Sequence, residues 1–152
     1  MKRTVIKFFR NIFPFLTVIF LWRLSISFWN PGGILALIPI FYCTFIRPVP
    51  WFMPFGLLFC FLIDYNLGAL CYWTSIYLLC YALNGFQSFI DFTHRDFNSI
   101  DMFMLYIGIG LVVFEIAHLN WTTFTRMIWI FIWMTVLYLP ITRLISGVQH
   151  DR

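Results

Sequence analysis

Residues 56–72 read GLLFCFLIDYNLGALCY, and this stretch places one carboxylate, Asp64, inside an apolar run. A bare carboxylate in hydrocarbon costs roughly 2.5–3.5 kcal/mol on insertion scales, so Asp64 must lie near an interface, be paired, or face protein. The apolar run is too long for a single membrane span. The Asn-Leu-Gly sequence at 66–68 is typical of a helix that ends with glycine at C′. We therefore predict a helix, a tight turn just beyond Asp64, and a second helix.

Small residues line one face of the first of these helices. Gly56, Asp64 and Gly68 stand at positions i, i+8 and i+12, and Cys60 fills the gap between the first two. At 3.6 residues per turn, steps of four keep these positions on one slowly drifting face. Because small residues let a neighbouring helix approach closely in a membrane, we expect this face to pack against another helix.

The composition of the whole chain indicates a membrane protein. Of its 152 residues, 62% are hydrophobic and only 11% are charged, whereas soluble domains carry roughly 25% charged residues. A soluble core in so short a chain could not hide this much apolar surface. The net charge of +4 arises mostly from Lys2, Arg3, Lys7 and Arg10. Such a cluster before a first span orients a protein in the membrane, and it does not indicate nucleic-acid binding.

Six apolar runs predict an all-α polytopic protein with six transmembrane helices in a single membrane domain, residues 1–152. The predicted spans are 11–29, 33–47, 50–66, 69–84, 102–119 and 124–145. The second span is short, so it is either tilted into the protein or extended by glycines that lie inside the membrane. The basic start followed by an apolar run resembles a signal peptide, but no small-residue cleavage site follows, and we expect the run to remain as the first helix.

The distribution of lysine and arginine predicts the topology. Six spans place the basic N-terminus, Arg47, Arg95, Arg143 and Arg152 on one side of the membrane. The turns on the opposite side (30–33, 65–69 and 119–123) contain no lysine or arginine. The positive-inside rule then predicts that both termini lie in the cytoplasm.

Four ionisable residues fall inside the outer halves of predicted spans: Arg23, Asp64, Glu115 and Arg126. Intramembrane charges usually face the bundle and pair. One hypothesis is an ion-pair set that fixes how the helices assemble or that receives a charge from another protein. In it, Asp64 pairs with Arg23, or alternatively with Arg126 or a charge on a partner. The other hypothesis is that each side chain snorkels separately to the outer headgroups.

The sequence offers no arrangement typical of an enzyme or a metal site. Glu115 and His118 form a Glu-x-x-His motif, but di-iron bundles need two such motifs and two more carboxylates. The four cysteines lie inside apolar runs without C-x-x-C spacing, which is typical of small buried hydrophobic residues. No nucleophile stands with a base and an acid, and no phosphate-binding glycine loop is present. We therefore predict a non-enzymatic protein without metal or cofactor.

The chain resembles the rod shape-determining protein MreD family over about residues 35–83. Members of that family share an arginine-and-proline stretch that leads into a helix with glycine and aspartate at four-residue steps, followed by a glycine-containing turn. The corresponding residues in this chain are Arg47-Pro48, Gly56-Leu57-Leu58, Asp64 and Leu67-Gly68. The chain departs from the pattern at Cys60 and Tyr72, where the family tends to have glycine.

The resemblance implies a non-enzymatic, multi-pass scaffold of the cell-elongation and peptidoglycan-synthesis machinery in the bacterial inner membrane, in contact with lipid. It implies work with the periplasmic scaffold MreC, the glycan polymerase RodA, its penicillin-binding transpeptidase and the cytoskeletal MreB. It also implies a fold similar to the S components of energy-coupling-factor transporters. The residues expected to serve helix packing or partner binding are Arg23, Arg47, Gly56, Asp64, Gly68, Glu115 and Arg126.

That shared fold raises an alternative function, the substrate-binding membrane subunit of a vitamin-type transporter. A transporter pocket should be lined by several convergent polar groups from different spans. Apart from the four charges, the predicted spans offer mainly scattered serine, threonine and tyrosine residues. The scaffold is therefore the preferred interpretation.

Overall fold

A computed structural model describes residues 2–28, 33–87, 99–116 and 121–149, and these residues form six helical segments without any strand. The five longer helices are α1 (Lys2–Phe28), α3 (Phe52–Leu67), α4 (Tyr72–Gln87), α5 (Ser99–Ile116) and α6 (Trp121–Gln149). The second segment combines three helical geometries. It consists of a 3₁₀ turn (Ile34–Ala36), the α-helix α2 (Leu37–Phe41) and a π-helical turn (Tyr42–Ile46).

Residues 34–46, which we call the central segment, run through the middle of the bundle. Its side chains are buried from Ile34 to Thr44. It packs against α1, α3 and α6. A helix that is apolar on every side is stable only where neighbours cover it all round, and the sequence ILALIPIFYCTFI has that character. The structure therefore buries this short span inside the bundle.

The surrounding helices turn large apolar side chains outward. Exposed examples occur on each of α1, α3, α4, α5 and α6: Phe20, Leu58, Phe61, Leu79, Leu105, Ile109, Val112, Ile128, Trp129 and Val136. Exposed apolar side chains in such number on five helices indicate a surface that an apolar environment could cover. Two helical stretches, Lys7–Ser27 in α1 and Phe124–Val148 in α6, are long and apolar enough to cross a membrane. Three shorter apolar helices lie beside them.

The first and last helices are longer than their predicted spans. α1 already begins at Lys2 and continues through Pro14. α6 continues through Pro140 as far as Gln149. The basic N-terminal residues thus form part of α1, and the polar residues 146–149 form part of α6. The polar segment 88–98 and residues 30–32 and 119–120 of the predicted turns lie outside the described residues. Residues 121–123, which the sequence assigns to a turn, instead form the start of α6.

Candidate functional site

The α3–α4 hairpin, residues 52–87, contains the residues on which the sequence interpretation depends. α3 ends in a Schellman motif. Gly68 adopts the left-handed conformation (φ 66°), and its N–H donates to the Tyr65 carbonyl at 3.3 Å. The N–H of Ala69 donates to the Asp64 carbonyl at 2.9 Å. Glycine thus occupies the C′ position that the sequence predicts, and the chain reverses within a few residues.

The side chain of Asp64 caps the next helix. Its Oδ1 accepts a hydrogen bond from the backbone N–H of Trp73 at 2.8 Å. Its Oδ2 accepts from the Thr74 N–H at 2.9 Å and from the Thr74 hydroxyl at 2.7 Å. Trp73 and Thr74 are the second and third residues of α4, which are the donors that an N-cap side chain normally satisfies. Asp64 therefore acts as an N-cap supplied by the preceding helix.

The need for this cap follows from the residue that precedes α4. Cys71 has a φ of 52°, and a thiol is a poor hydrogen-bond acceptor for the free N–H groups of a first helical turn. Asp64 replaces the missing local cap, and its negative charge lies at the positive end of the α4 dipole. Since Asp64 is only 2% exposed, these charge-assisted bonds offset the cost of burying a carboxylate.

The proposed ion pair between Asp64 and Arg23 is absent from the described residues. The Arg23 side chain is exposed on α1, whereas the Asp64 carboxylate bonds only to Trp73 and Thr74 of α4. A carboxylate buried in a helical hairpin finds unsatisfied backbone N–H groups closer than a cation on another helix. The partner of Asp64 is thus the end of a helix, which charge complementarity alone does not reveal.

Gly56 lies where α3 meets α4 and the central segment. A Cβ added at Gly56 would lie 2.8 Å from the Tyr77 hydroxyl and 3.3 Å from Cγ2 of Ile40. The Tyr77 hydroxyl is also 2.9 Å from Oγ1 of Thr44, which fixes its position in the core. The absence of a side chain at Gly56 is therefore what lets three helical segments meet around one buried tyrosine.

Replacing Gly56 by alanine is expected to lower the free energy of unfolding by about 1–3 kcal/mol, because the methyl group overpacks the Tyr77 hydroxyl. Adding Tyr77→Phe should restore part of that loss by removing the atom in closest contact. Unfolding in mixed detergent micelles would measure both variants. Gly147→Ala on α6 is the control, since a Cβ there meets nothing within 4 Å. Equal effects of Gly56→Ala and Gly147→Ala would contradict the close approach at Gly56.

A second close approach joins α4 to α5, and the sequence interpretation did not include it. A Cβ at Gly110 would lie 2.5 Å from both Cη2 and Cζ3 of the buried Trp73 indole. The Tyr72 hydroxyl donates to the Gly110 carbonyl. The available signal was the Gly-Ile-Gly sequence at 108–110, two glycines in an otherwise apolar helix. That signal does not identify the large aromatic residue that fills the space.

The remaining predicted site residues do not gather at the hairpin tip. Arg47 is exposed in the turn before α3, and its N–H donates to the Tyr42 carbonyl at 2.9 Å. Arg126 is exposed near the start of α6. Glu115 belongs to α5, but its side chain lies outside the described residues, as does His118. The hairpin thus unites Gly56, Asp64 and Gly68, while Arg23, Arg47 and Arg126 lie on the surface.

The hydrogen bonds of this hairpin connect its two helices. Both oxygens of Asp64 already accept hydrogen bonds, so its lone pairs are engaged in capping. Among the described residues, no three histidine, cysteine, aspartate or glutamate side chains are grouped so that they could hold a metal ion. The arrangement fixes two helices against each other and presents the exposed Tyr65 and Leu70 at the turn. Comparisons of this chain with protein-family models, curated proteins and solved structures give no match.

Proposed function

We propose that the chain is a multi-pass protein of the bacterial inner membrane that crosses it six times with both termini in the cytoplasm. The outward-facing apolar side chains of five helices support this, because lipid is the solvent that they suit. α3 and α4 have 16 residues each, or about 24 Å at 1.5 Å per residue. A hydrocarbon core is about 30 Å thick, so these helices reach across it only with the help of their turns.

Within that membrane the protein serves as a non-enzymatic scaffold of the cell-elongation machinery, and it acts on peptidoglycan synthesis through partners. The observation that carries this proposal is that the residues resembling the MreD family pattern lie together in one structural unit. Gly56, Asp64 and Gly68 all build the α3–α4 hairpin. The stretch containing Arg47 and Pro48 leads into it. By that resemblance, the partners are MreC, RodA with its penicillin-binding transpeptidase, and MreB.

A purification from native membranes in mild detergent tests this proposal. A scaffold should bring MreC and the wall synthases with it, and its loss should turn rod-shaped cells round. An unrelated polytopic protein with the same tag, purified in the same detergent, is the control. Recovery of an ATPase module together with tight binding of a vitamin would contradict the scaffold and identify a transporter subunit.

A further inference from the structure

The turn between the central segment and α3, residues 47–51, holds an exposed tryptophan in a strained backbone conformation. Trp51 is 85% exposed, and its φ of 65° lies in the left-handed region that favours glycine. A large side chain adopts this region only where the surrounding structure enforces it, and residues of this kind cluster at functional sites. The packing of the protein gives no return for this strain, because the indole is almost entirely outside it.

Hydrogen bonds and prolines fix the shape of this turn. The N–H groups of Arg47 and Val49 donate to carbonyls of the π-helical turn at 2.9 Å and 3.0 Å. Pro48 and Pro50 each restrict their own φ. Val49 packs against the core, whereas Arg47 and Trp51 are exposed. The turn therefore presents a guanidinium group and an indole to the outside from a rigid backbone.

The packing of α1 against α3 places this turn at the basic end of the bundle. The ring of Phe15 lies 5.2 Å from that of Phe52 and 4.9 Å from that of Phe55, so the start of α3 lies beside Phe15. The exposed Lys7 precedes Phe15 by eight residues, or about 12 Å along α1 at 1.5 Å per residue. The turn therefore lies near the level at which the apolar run of α1 gives way to basic residues.

The charge at this end of the bundle is mainly positive. Because successive helices run in opposite directions, the starts of α1, α3 and α5 lie at the same end as the last residues of α6. Lys7, Arg47 and Arg143 are exposed there. Among the described residues, the one acidic side chain at this end is Asp101, in the first turn of α5. Basic residues near a membrane surface attract anionic headgroups, and tryptophan is enriched where hydrocarbon meets headgroups.

We propose that the turn at 47–51 binds an anionic phospholipid of the cytoplasmic leaflet. The Arg47 guanidinium holds the headgroup phosphate, since its planar set of donors matches phosphate oxygens. The Trp51 indole packs against the lipid with its apolar ring and keeps its N–H among the headgroups. This contact offsets the strain at Trp51. A lipid is favoured over a protein partner because both side chains lie at the level where the proposed span ends.

Binding of single lipids to the purified full-length protein in mild detergent, followed by native mass spectrometry, tests the site. Phosphatidylglycerol should bind more tightly than phosphatidylcholine. Arg47→Gln should weaken phosphatidylglycerol binding about fivefold, the size expected for one basic residue at an anionic surface, and leave phosphatidylcholine binding unchanged. Arg23→Gln is the control, because Arg23 is exposed on α1 nearer its other end. Equal effects of the two changes, or no effect of Arg47→Gln, would overturn the proposal.

Trp51→Gly separates lipid binding from stability. Glycine adopts a positive φ without strain, so the variant should unfold no more easily than the unchanged protein in mixed micelles, while its binding of phosphatidylglycerol falls severalfold. Trp129→Ala removes an indole that is 62% exposed on α6 and should leave lipid binding unchanged. If Trp51→Gly keeps full lipid binding and instead loses a cytoplasmic protein on purification, the turn binds a protein and the proposal is wrong.

The inference rests on the proposed membrane placement and orientation, and it does not depend on the scaffold role. Insertion into vesicles of phosphatidylcholine alone separates the two. A chain that inserts but shows no preference for phosphatidylglycerol contradicts the lipid site and leaves the membrane placement standing. A chain that does not insert contradicts the membrane placement, and the lipid site with it.

Discussion

Replacing Asp64 by alanine is expected to lower the free energy of unfolding by about 3 kcal/mol, the largest effect that we expect of a polar change among the described residues. The change removes both acceptors of the cap at once. It leaves the Trp73 and Thr74 N–H groups without partners at the start of α4, and it removes a charge that interacts favourably with the helix dipole. Unfolding in mixed detergent micelles, followed by the helical circular dichroism signal, measures the loss.

Asp64→Asn separates the contribution of the negative charge from that of the side-chain shape. Asparagine keeps one acceptor but places an amide N–H₂ against a donor, so we expect a loss of about 2 kcal/mol. Asp101→Asn is the control, because Asp101 is an exposed carboxylate in the first turn of α5, and its replacement should cost less than about 1 kcal/mol. If Asp64→Asn unfolds like the unchanged protein, Asp64 does not stabilise the hairpin.

A double-mutant cycle of Asp64→Asn and Arg23→Gln tests the absence of an Asp64–Arg23 ion pair. Arg23→Gln and Asp64→Asn should be additive within about 0.5 kcal/mol, as changes at uncoupled sites are. Coupling well above that value would show that the arginine reaches the carboxylate after all.

Gly110→Ala is the second change with a large expected effect, about 2–3 kcal/mol of destabilisation. The added methyl group would lie 2.5 Å from two carbon atoms of Trp73. Trp73 is 1% exposed, so the indole has no open space to move into, and its backbone N–H donates to Asp64, so a shift of the main chain would disturb the cap. Thermal and detergent unfolding of the purified variant would both report the loss.

The chain provides a matched control on the same helix. A Cβ at Gly108 meets only Cε2 of Phe131, at 3.6 Å, which is ordinary van der Waals contact. Gly108→Ala should therefore be neutral or stabilising by up to about 1 kcal/mol, because alanine is a better helix former than glycine. A similar loss for both variants would show that α5 does not pack on Trp73 in the way described.

Features that depend on composition and local turn chemistry could be predicted from the sequence. Six helical segments follow from the apolar runs, and the end of α3 follows from the glycine at 68, since a left-handed C′ residue favours glycine. The tight turn just beyond Asp64 follows from the same signal. These features are properties of short stretches, so one sequence is enough to reveal them.

Features that depend on which helices meet could not be predicted in the same way. Asp64 is bonded to residues nine and ten positions further along the chain, and this distance appears only when the turn geometry is known. The sequence suggested a cation as the partner of the carboxylate because charged residues can be read directly from a sequence. The unsatisfied backbone N–H groups at the start of a helix cannot. Likewise, nothing in the local sequence of Gly110 indicates that Trp73 fills the space beside it.

In the proposed topology the helices cross a membrane, and the α3–α4 turn lies outside the cytoplasm. Cys71 in that turn is an exposed native cysteine, whereas Cys43 and Cys60 are buried and Cys80 is half-buried in the middle of α4. A membrane-impermeant maleimide should therefore label the protein in intact cells, and Cys71→Ser should abolish the labelling. Asn98→Cys in the Cys71→Ser background should react only after the membrane is opened. Labelling of both positions from the same side would contradict the six-span topology.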